Sequence, residues 1–226
     1  MSAPTFGVDE AGKGPVLGSM FSAAVVAIPA AVPDGVADSK TLPPERREDL
    51  ATTLRNDERV AIGVAEITVD RIDAPETDMN TVTVDAQAEA LAGVVDEVMS
   101  ETGSVEGKLA GIVDAGDTDE DRFARRVGEG VPFEVEVRAE HGADERYPIV
   151  SAASIIAKEA REAHVATLAE EYGDIGSGYP SDPTTRDFLS TYVEDHGALP
   201  PFARRSWETS RDALAAAEQS SLDAFD

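Results

Sequence analysis

The sequence predicts an α/β core followed by a small helical lobe. Over residues 5–172, short valine-rich runs typical of strands alternate with segments in which apolar residues recur at helical spacing. After residue 172 the patterns are helical only, around 187–196 and 208–218. We therefore expect a core over residues 1–172 and a lobe over residues 173–226.

The first part of the core predicts two strands joined by a tight turn. Residues up to Asp9 and the valine-rich run Gly18–Ile28 have strand character, and glycines lie between them. A polar helix with proline in its first turn is expected to begin near Thr41, and residues 60–68 predict the next strand. An amphipathic helix follows, because apolar residues recur at helical spacing in Val84, Ala88, Leu91, Val95 and Val98.

The second part of the core places an acidic residue at the end of a strand. The short apolar run Leu109–Val113 is followed directly by Asp114, and residues 117–120 begin another helix. Residues 133–137 alternate as a strand, and a long helix starts at Tyr147, where small residues permit close packing. Asp114 is therefore expected at the carboxyl end of a strand.

The composition indicates a folded protein without cysteine chemistry. With 226 residues, of which 42% are hydrophobic, the chain can bury one substantial core. The absence of cysteine excludes disulfides, thiolate zinc sites and a catalytic thiol. The sequence has no signal-peptide pattern and no apolar run of membrane length, so we expect a soluble, cytoplasmic protein that does not associate with membranes.

The charge balance supports two interpretations. The formal net charge is -26, from 45 acidic and 19 basic residues, and this excess argues against a polyanionic partner such as nucleic acid. The acidic residues are, however, scattered along the whole chain, which favours adaptation to a salt-rich cytoplasm. At 1 M salt the Debye length is roughly 3 Å, so surface charge then says little about partners.

The segment GVDEAGKGP, residues 7–15, has the features of a metal site beside a phosphate-binding loop. Adjacent carboxylates such as Asp9 and Glu10 repel one another and tend to persist where a divalent cation compensates them. The glycines that follow permit backbone N–H groups to approach a ligand, and Lys13 between them supplies a positive charge. The alternative is structural, with the two acids as turn residues and the glycines meeting a tight backbone geometry.

The same segment satisfies most of the P-loop pattern G-x-x-x-x-G-K-[ST], which is typical of NTPases. Gly14 stands where the pattern needs a hydroxyl for magnesium, and Pro15 disfavours a smooth continuation into a helix. Two acids would also face the triphosphate. A P-loop NTPase is therefore an alternative that these residues disfavour.

Several segments resemble the motifs of one enzyme family. GVDEAGKGPVLG at residues 7–18 is similar to the opening signature of ribonuclease HII, especially of its archaeal branch. Further segments with the family's pattern follow in the same order: Asp38–Lys40, Ile112–Ala115, Glu140–Asp144, Tyr147–Lys158, Gly176–Pro183 and Arg204–Trp207. On these residues the chain is identified as a member of the type 2 ribonuclease H family, and its acidic composition indicates a halophile as the source.

The resemblance implies a fold, a reaction and a site. The fold would be RNase H-like, with a mixed β-sheet flanked by helices as the catalytic core and with the helical lobe binding substrate. The activity would be endonucleolytic hydrolysis of the RNA strand of RNA/DNA hybrids and cleavage at ribonucleotides embedded in duplex DNA, giving 5′-phosphate and 3′-hydroxyl ends. The catalytic residues, which are also the metal ligands, would be Asp9, Glu10, Asp114 and Asp144.

Convergence of these four acids would create a metal centre. Such a cluster can hold two Mg²⁺ or Mn²⁺ ions about 3.5–4 Å apart around one phosphodiester. Asp9 is the candidate for the ligand that bridges the ions. We expect a monomer that acts on RNA/DNA hybrids and on ribonucleotide-containing duplex DNA. A module that binds nucleic acid or metal without turnover is the alternative, and the presence of all four acids disfavours it.

Substrate contacts are predicted on the glycine loop and in the lobe. Distinguishing RNA from DNA requires a contact to the 2′-hydroxyl, for which the loop residues Gly12, Lys13 and Gly14 are candidates. The resemblance also places Tyr179 at the junction between ribonucleotide and deoxyribonucleotide. Lys13 stands where the family usually has arginine, so the charge is kept while the forked geometry is lost.

Four further basic residues are candidate phosphate contacts: Lys40, Lys158, Arg204 and Arg205. The two lysines are notable because lysine is scarce in this chain, and either could instead support the carboxylate cluster or have an ordinary surface or packing role. For the two arginines, a salt bridge within a helix or between the core and the lobe is the alternative.

Overall fold

The computed structural model describes residues 3–36, 42–102 and 108–223. The predicted contact residue Lys40 and the Asp38–Lys40 motif therefore lie outside the described residues, as does the expected helix start at Thr41. Within the described ranges no helix is long and apolar enough to cross a membrane.

The described residues form strands and helices that are interspersed along the chain up to α5, after which the elements are helices. The strands are β1 (Thr5–Ala11), β2 (Met20–Ala27), β3 (Val60–Ile67), β4 (Leu109–Asp114) and β5 (Val135–Glu140). The helices are α1 (Pro44–Asn56), α2 (Val69–Ile72), α3 (Met79–Thr102), α4 (Glu120–Gly130), α5 (Pro148–Tyr172), α6 (Pro183–His196) and α7 (Glu208–Asp223). Every predicted strand and helix is present, and the short helix α2 is an addition.

The five strands form one mixed sheet in the order β3-β2-β1-β4-β5. β1 runs antiparallel to β2 and parallel to β4, and β4 runs parallel to β5. In this register Val8 lies beside Val113, and Asp114 lies beside Glu140. The carboxyl ends of β1, β4 and β5 consequently lie at one edge of the sheet, which brings their terminal acidic residues together.

Two apolar clusters cover the two faces of the sheet. In the first, Val8 of β1 packs with Leu91 of α3 and Phe123 of α4. In the second, Val25 of β2 packs with residues of α1 and α5, including Ile155. Each such side chain contributes about 1.5–3 kcal/mol on burial. The hydrophobic effect thus holds α3 and α5 against opposite faces of the sheet.

Gly7 allows β1 to lie directly against the first turn of α5. A Cβ at this position would lie 2.5 Å from the main-chain carbonyl carbon of Ile149, which is far inside van der Waals contact. Only glycine therefore fits here. The close approach fixes the distance between β1 and α5 two residues before Asp9.

The chain groups into two compact units. The first comprises residues 1–11, 21–66 and 78–160, and includes the whole sheet. The second comprises residues 12–20, 67–77 and 161–226, so the boundary after Ala160 falls inside α5. The second unit has its own apolar cluster around Val16, Leu17, Ile175, Leu189, Phe202 and Ala203. The division after residue 172 stays a prediction, and the glycine loop belongs to the second unit.

Two element boundaries differ from the expectation for local reasons. β1 continues through Ala11, so Asp9 and Glu10 lie within the strand and not beyond it. α6 begins at Pro183, four residues before the predicted 187, because Asp182 caps it by accepting a hydrogen bond from Thr184 N (3.0 Å). The Asp-Pro pair is a helix-start signal that the apolar pattern alone did not reveal.

Candidate metal centre and substrate loop

Three of the four predicted acids lie together at the edge of the sheet. Asp9, Glu10 and Asp114 each offer a carboxylate oxygen, and these oxygens lie within 4.8 Å of one another. The cause is the parallel pairing of β1 with β4, which sets the two strand ends side by side. Oxygens that are each 2.0–2.6 Å from one cation lie at most about 5 Å apart, so this spacing fits a shared divalent ion.

Asp9 and Glu10 approach the cluster from opposite faces of the sheet, since neighbouring residues of a strand alternate in direction. The Asp9 carboxylate bonds with the Ser154 side chain on α5, and its Oδ1 accepts a hydrogen bond from Glu10 N (2.7 Å). The Glu10 Oε2 accepts a hydrogen bond of 2.5 Å from Gln87 Nε2 on α3. Both helices thus orient ligand atoms.

The environment of Asp9 disfavours its negative charge. Asp9 is buried, with 5% of its surface exposed. Burial raises the pKa of Asp9 well above its usual value, and the charges of Glu10 and Asp114 raise it further, while the hydrogen bond from Ser154 lowers it. A divalent cation between the three carboxylates would offset this repulsion, so the chemistry of the donor set fits a metal.

Asp144 lies near the cluster but is not one of its three closest members. Asp144 is buried on a short 3₁₀ turn, Ala143–Glu145, which follows β5. Gly142 before the turn has a φ of 62°, a left-handed conformation that favours glycine. The turn is tied to the site because Ala143 N donates to Asp114 Oδ1 (2.7 Å). Its role as the fourth ligand stays a prediction.

Gln87 is a buried polar residue beside the three carboxylates, and its position there was not predicted from the sequence. Its side chain is completely buried, and Nε2 donates both to Glu10 Oε2 and to the main-chain oxygen of Asp114 (2.9 Å). Its Oε1 accepts no hydrogen bond from the described residues. A buried acceptor without a donor is costly, and its presence beside three carboxylates fits a site that admits a hydrated cation. A glutamine within the apolar stripe of the predicted helix was the available signal.

Ser154 and Lys158 extend the cluster along α5. Lys158 Nζ donates to Ser154 Oγ (2.8 Å), and Ser154 in turn bonds with the Asp9 carboxylate. Of the alternatives for Lys158, this arrangement favours support of the carboxylates. The sequence predicts close packing for the small residues of this helix, of which Ser154 is one, and does not predict its bond with Asp9.

Arg204 organises the predicted substrate loop from inside the protein. Its side chain is completely buried, and its guanidinium donates to the main-chain oxygens of Gly12 (2.6 Å), Lys13 (2.9 Å) and Gly18 (3.0 Å). Burial, together with the nearby charge of Arg161, lowers the pKa of Arg204 to about 10, so it remains a cation near neutral pH. Three of its N–H groups are thus occupied within the protein, and the predicted contact of Arg204 with duplex phosphates stays a prediction.

Tyr179 lies next to the same loop. A Cβ on Gly14 would be 3.5 Å from the ring carbon Cε1 of Tyr179, and the ring is 37% exposed. The guanidinium of Arg161 lies 4.8 Å from the ring centroid and also donates to the Ser177 carbonyl. An exposed aromatic ring held beside a glycine loop can stack on a ligand. Lys13, in the loop itself, is half-buried.

Arg205 is exposed and pairs with acidic residues in and just after α2. Its guanidinium lies 2.9 Å from Asp70, and its main-chain N donates to Asp73 (2.6 Å). The salt-bridge alternative for Arg205 is therefore observed, and its predicted contact with phosphate stays a prediction.

The P-loop alternative is not supported. In a P-loop the glycine-rich turn leads into a helix whose N-terminus binds phosphate. Here residues 12–19 contain no helix, and the next element after Lys13 is the strand β2.

The sequence and the fold both match known proteins. The family model for ribonuclease HII matches residues 6–210. A ribonuclease HII of Haloarcula marismortui is 63% identical over 220 residues, covering 97% of this chain and 99% of the relative. The crystal structure of the ribonuclease H2 from Pyrococcus horikoshii superposes with a TM-score of 0.82 at 37% identity, covering 96% of this chain and 99% of that chain.

A second solved structure comes from Archaeoglobus fulgidus, whose ribonuclease HII was determined in complex with PCNA. It has a TM-score of 0.77 and 34% identity, and covers 92% of this chain and 96% of that chain. The predicted RNase H-like α/β fold is confirmed by these matches, and relatives from halophilic archaea fit the acidic composition. The chain therefore belongs to the ribonuclease HII family and is a ribonuclease H.

Proposed function

We propose that Asp9, Glu10, Asp114 and Asp144 hold the divalent cations with which this enzyme cleaves the RNA strand of RNA/DNA hybrids. The observation that supports the proposal best is the approach of three carboxylate oxygens within 4.8 Å in a partly buried cluster of mutually repelling acids. The ribonuclease HII family is divalent-metal dependent, which agrees with this donor set. The ions would be Mg²⁺ or Mn²⁺, two per site with substrate bound.

Each residue of the cluster has a distinct task in this proposal. When bound, the ions would activate a water and offset the charge that develops on the scissile phosphate, leaving 5′-phosphate and 3′-hydroxyl ends. Asp9 is the candidate bridging ligand, since it interacts with both Glu10 and Asp114 and is the most buried of the three. The hydrogen bond with Ser154 orients its carboxylate and favours its ionised form, and Lys158 in turn donates to the Ser154 hydroxyl.

The proposed recognition of a ribonucleotide in duplex DNA uses the glycine loop and Tyr179. Only Ala11 separates the ligand Glu10 from Gly12 in the sequence, so the loop follows the metal centre directly. Arg204 binds the carbonyls of Gly12 and Lys13, which fixes the direction of the peptide groups that would contact the 2′-hydroxyl. Tyr179 would stack against the neighbouring sugar. Lys40, Lys158, Arg204 and Arg205 remain proposed phosphate contacts.

The proposal includes binding of a polyanion by a protein of net charge -26. At molar salt the repulsion between exposed charges is screened beyond roughly 3 Å, so short-range contacts decide binding. We therefore expect a monomeric, cytoplasmic enzyme that cleaves in molar salt. Activity that collapses at 2 M KCl would contradict the salt interpretation of the composition.

We also propose that the chain binds a PCNA ring, as its relative from A. fulgidus does. Leu222 and Phe225 are the two large apolar residues of the sequence 219–226 and have an i, i+3 spacing, a pattern by which short segments dock into hydrophobic grooves. Replacing both by alanine should abolish co-elution with PCNA while cleavage of a short free duplex is unchanged. Co-elution of the double variant would refute this assignment.

The sharpest test of the metal-centre proposal concerns Asp144, the ligand with the least direct geometric support. Asp144→Asn should reduce cleavage of an RNA/DNA hybrid by at least about 10³-fold, as expected when a group acting on the transition state is lost. Glu145→Gln, the next residue on the same turn, is the matched control and should leave the rate within about twofold.

The same experiment separates the enzyme from a non-catalytic binding module. If the protein is a binding module, the wild-type protein should bind the hybrid without cleaving it. If the wild-type protein cleaves and Asp144→Asn cleaves equally well, Asp144 is not a ligand of the site.

A further inference from the structure

We propose that Gln87 is a positioning residue of the metal centre, holding Glu10 and Asp114 in the arrangement that cation binding needs. This inference rests on the proposed metal site and adds a residue that is not itself a ligand. Gln87 lies on α3, completely buried, and touches the cluster from the face of the sheet opposite to Ser154.

The orientation of the Gln87 amide is determined by its partners. One is the carboxylate oxygen Oε2 of Glu10 at 2.5 Å, and the other is the main-chain oxygen of Asp114 at 2.9 Å. The main-chain oxygen of Asp114 can only accept a hydrogen bond, and so can the carboxylate of Glu10 when it is ionised. The end of the Gln87 amide that faces them must therefore be the NH₂ group. The two hydrogens of one nitrogen therefore join the end of β1 to the end of β4.

A neutral donor suits this position better than a charged one. A lysine or arginine here would neutralise the acidic cluster and compete with a divalent cation for the same carboxylates. The amide instead restrains the Glu10 side chain while leaving the negative charge of the cluster available. Gln87 thus prepares the ligands without replacing the cation.

The chain offers an internal control for a direct measurement, because its sequence contains two glutamines, Gln87 and Gln219. In wild-type protein labelled with ¹⁵N-glutamine, the side-chain NH₂ signal of Gln87 should be protected from solvent exchange and should shift when Mg²⁺ is added. The signal of Gln219, on an exposed side chain in the last turns of α7, should not move. Gln87 signals unaffected by saturating Mg²⁺ would overturn the proposal.

A substitution tests whether the contacts matter for affinity. Gln87→Met keeps the length of the side chain and removes both donors, and should weaken Mn²⁺ binding, measured by electron paramagnetic resonance, by about 10–100-fold. The matched control is Thr83→Val, one turn earlier on α3, where a buried hydroxyl donates to Met79 O of its own helix (2.6 Å). This control should bind Mn²⁺ within twofold of wild type, although it too loses a buried hydrogen bond.

The possible outcomes are distinguishable. Wild-type protein that binds no Mn²⁺ would contradict the metal site itself. Wild-type binding with an equal affinity in Gln87→Met would contradict only the role of Gln87. If Gln87→Met does not fold, the exchange and Mg²⁺ measurements on wild-type protein decide the question alone.

Discussion

The crowding of negative charge around Asp9 predicts that removing this charge stabilises the metal-free protein. Asp9→Asn keeps the shape of the side chain and keeps Oδ1 as the acceptor for Glu10 N. Two unit charges 4.8 Å apart repel by about 3.5 kcal/mol at an effective dielectric constant near 20. Because burial raises the pKa of Asp9, part of this repulsion is already avoided by protonation, and about 1–3 kcal/mol is the expected gain.

The gain should be visible as a higher melting temperature in EDTA. For a chain of this size 1 kcal/mol corresponds to about 2–4 °C, so a gain of about 1–3 kcal/mol should raise the melting temperature of Asp9→Asn by about 2–12 °C over wild type, measured by circular dichroism. The matched control is Asp117→Asn, a buried aspartate whose carboxylate pairs with Arg122 at 2.6 Å. This control should melt below wild type, because it loses an attractive interaction.

Adding Mn²⁺ should reverse the order. A cation that binds only the native state raises the melting temperature of wild-type protein by mass action, while Asp9→Asn, having lost a ligand, should respond little. An Asp9→Asn variant that is less stable than wild type in EDTA, with Asp117→Asn behaving as expected, would refute the reasoning that the acids are held together against their mutual repulsion.

Other changes have equally specific outcomes. Arg204→Met should destabilise the protein by about 3–5 kcal/mol in denaturant titrations, since three loop carbonyls lose a charged donor, and Arg204→Lys should recover only part of this. Gly7→Ala should cost about 3 kcal/mol, because its methyl group meets the backbone of α5. Tyr179→Phe and Tyr179→Ala should lower cleavage at a single embedded ribonucleotide, in gel assays, more than they lower stability; equal losses in both would contradict the role of Tyr179. Arg122 lowers the pKa of Asp117, so the ion pair between them stabilises the protein above about pH 4. This stabilisation is lost as the pH falls through the native pKa of Asp117, and the loss of stability caused by Asp117→Asn should therefore vanish in thermal melts at acid pH.

The elements were predictable because their signals are local. Apolar spacing between Val84 and Val98 identified α3, and a short apolar run followed by Asp114 identified β4 with its acid at the strand end. These periodicities depend on neighbours a few residues apart. The parallel pairing of β1 with β4 joins residues about a hundred positions apart, and no local pattern specifies it.

The acidic residues of the site could be predicted from the sequence, but the residues that support them could not. The motif resemblance named Asp9, Glu10 and Asp114, which the strand pairing then brings together. The role of Arg204 in holding the loop could not be predicted, because charged residues are seldom fully buried and the carbonyls that it binds lie 186 and 192 residues away in the sequence. Gln87 escaped notice because a helical apolar pattern tolerates one polar residue without showing what it contacts.

The central claim is that a partly buried cluster of acids binds divalent cations, and that the enzyme uses these cations to cleave next to a ribonucleotide. The most direct measurement is cleavage of a duplex containing one ribonucleotide by wild-type protein in 2 M KCl, with and without Mn²⁺, followed by analysis of the product ends. We expect cleavage only with the metal, giving 5′-phosphate and 3′-hydroxyl ends, and none by Asp9→Asn. Equal cleavage in EDTA, or by Asp9→Asn with Mn²⁺, would contradict the account.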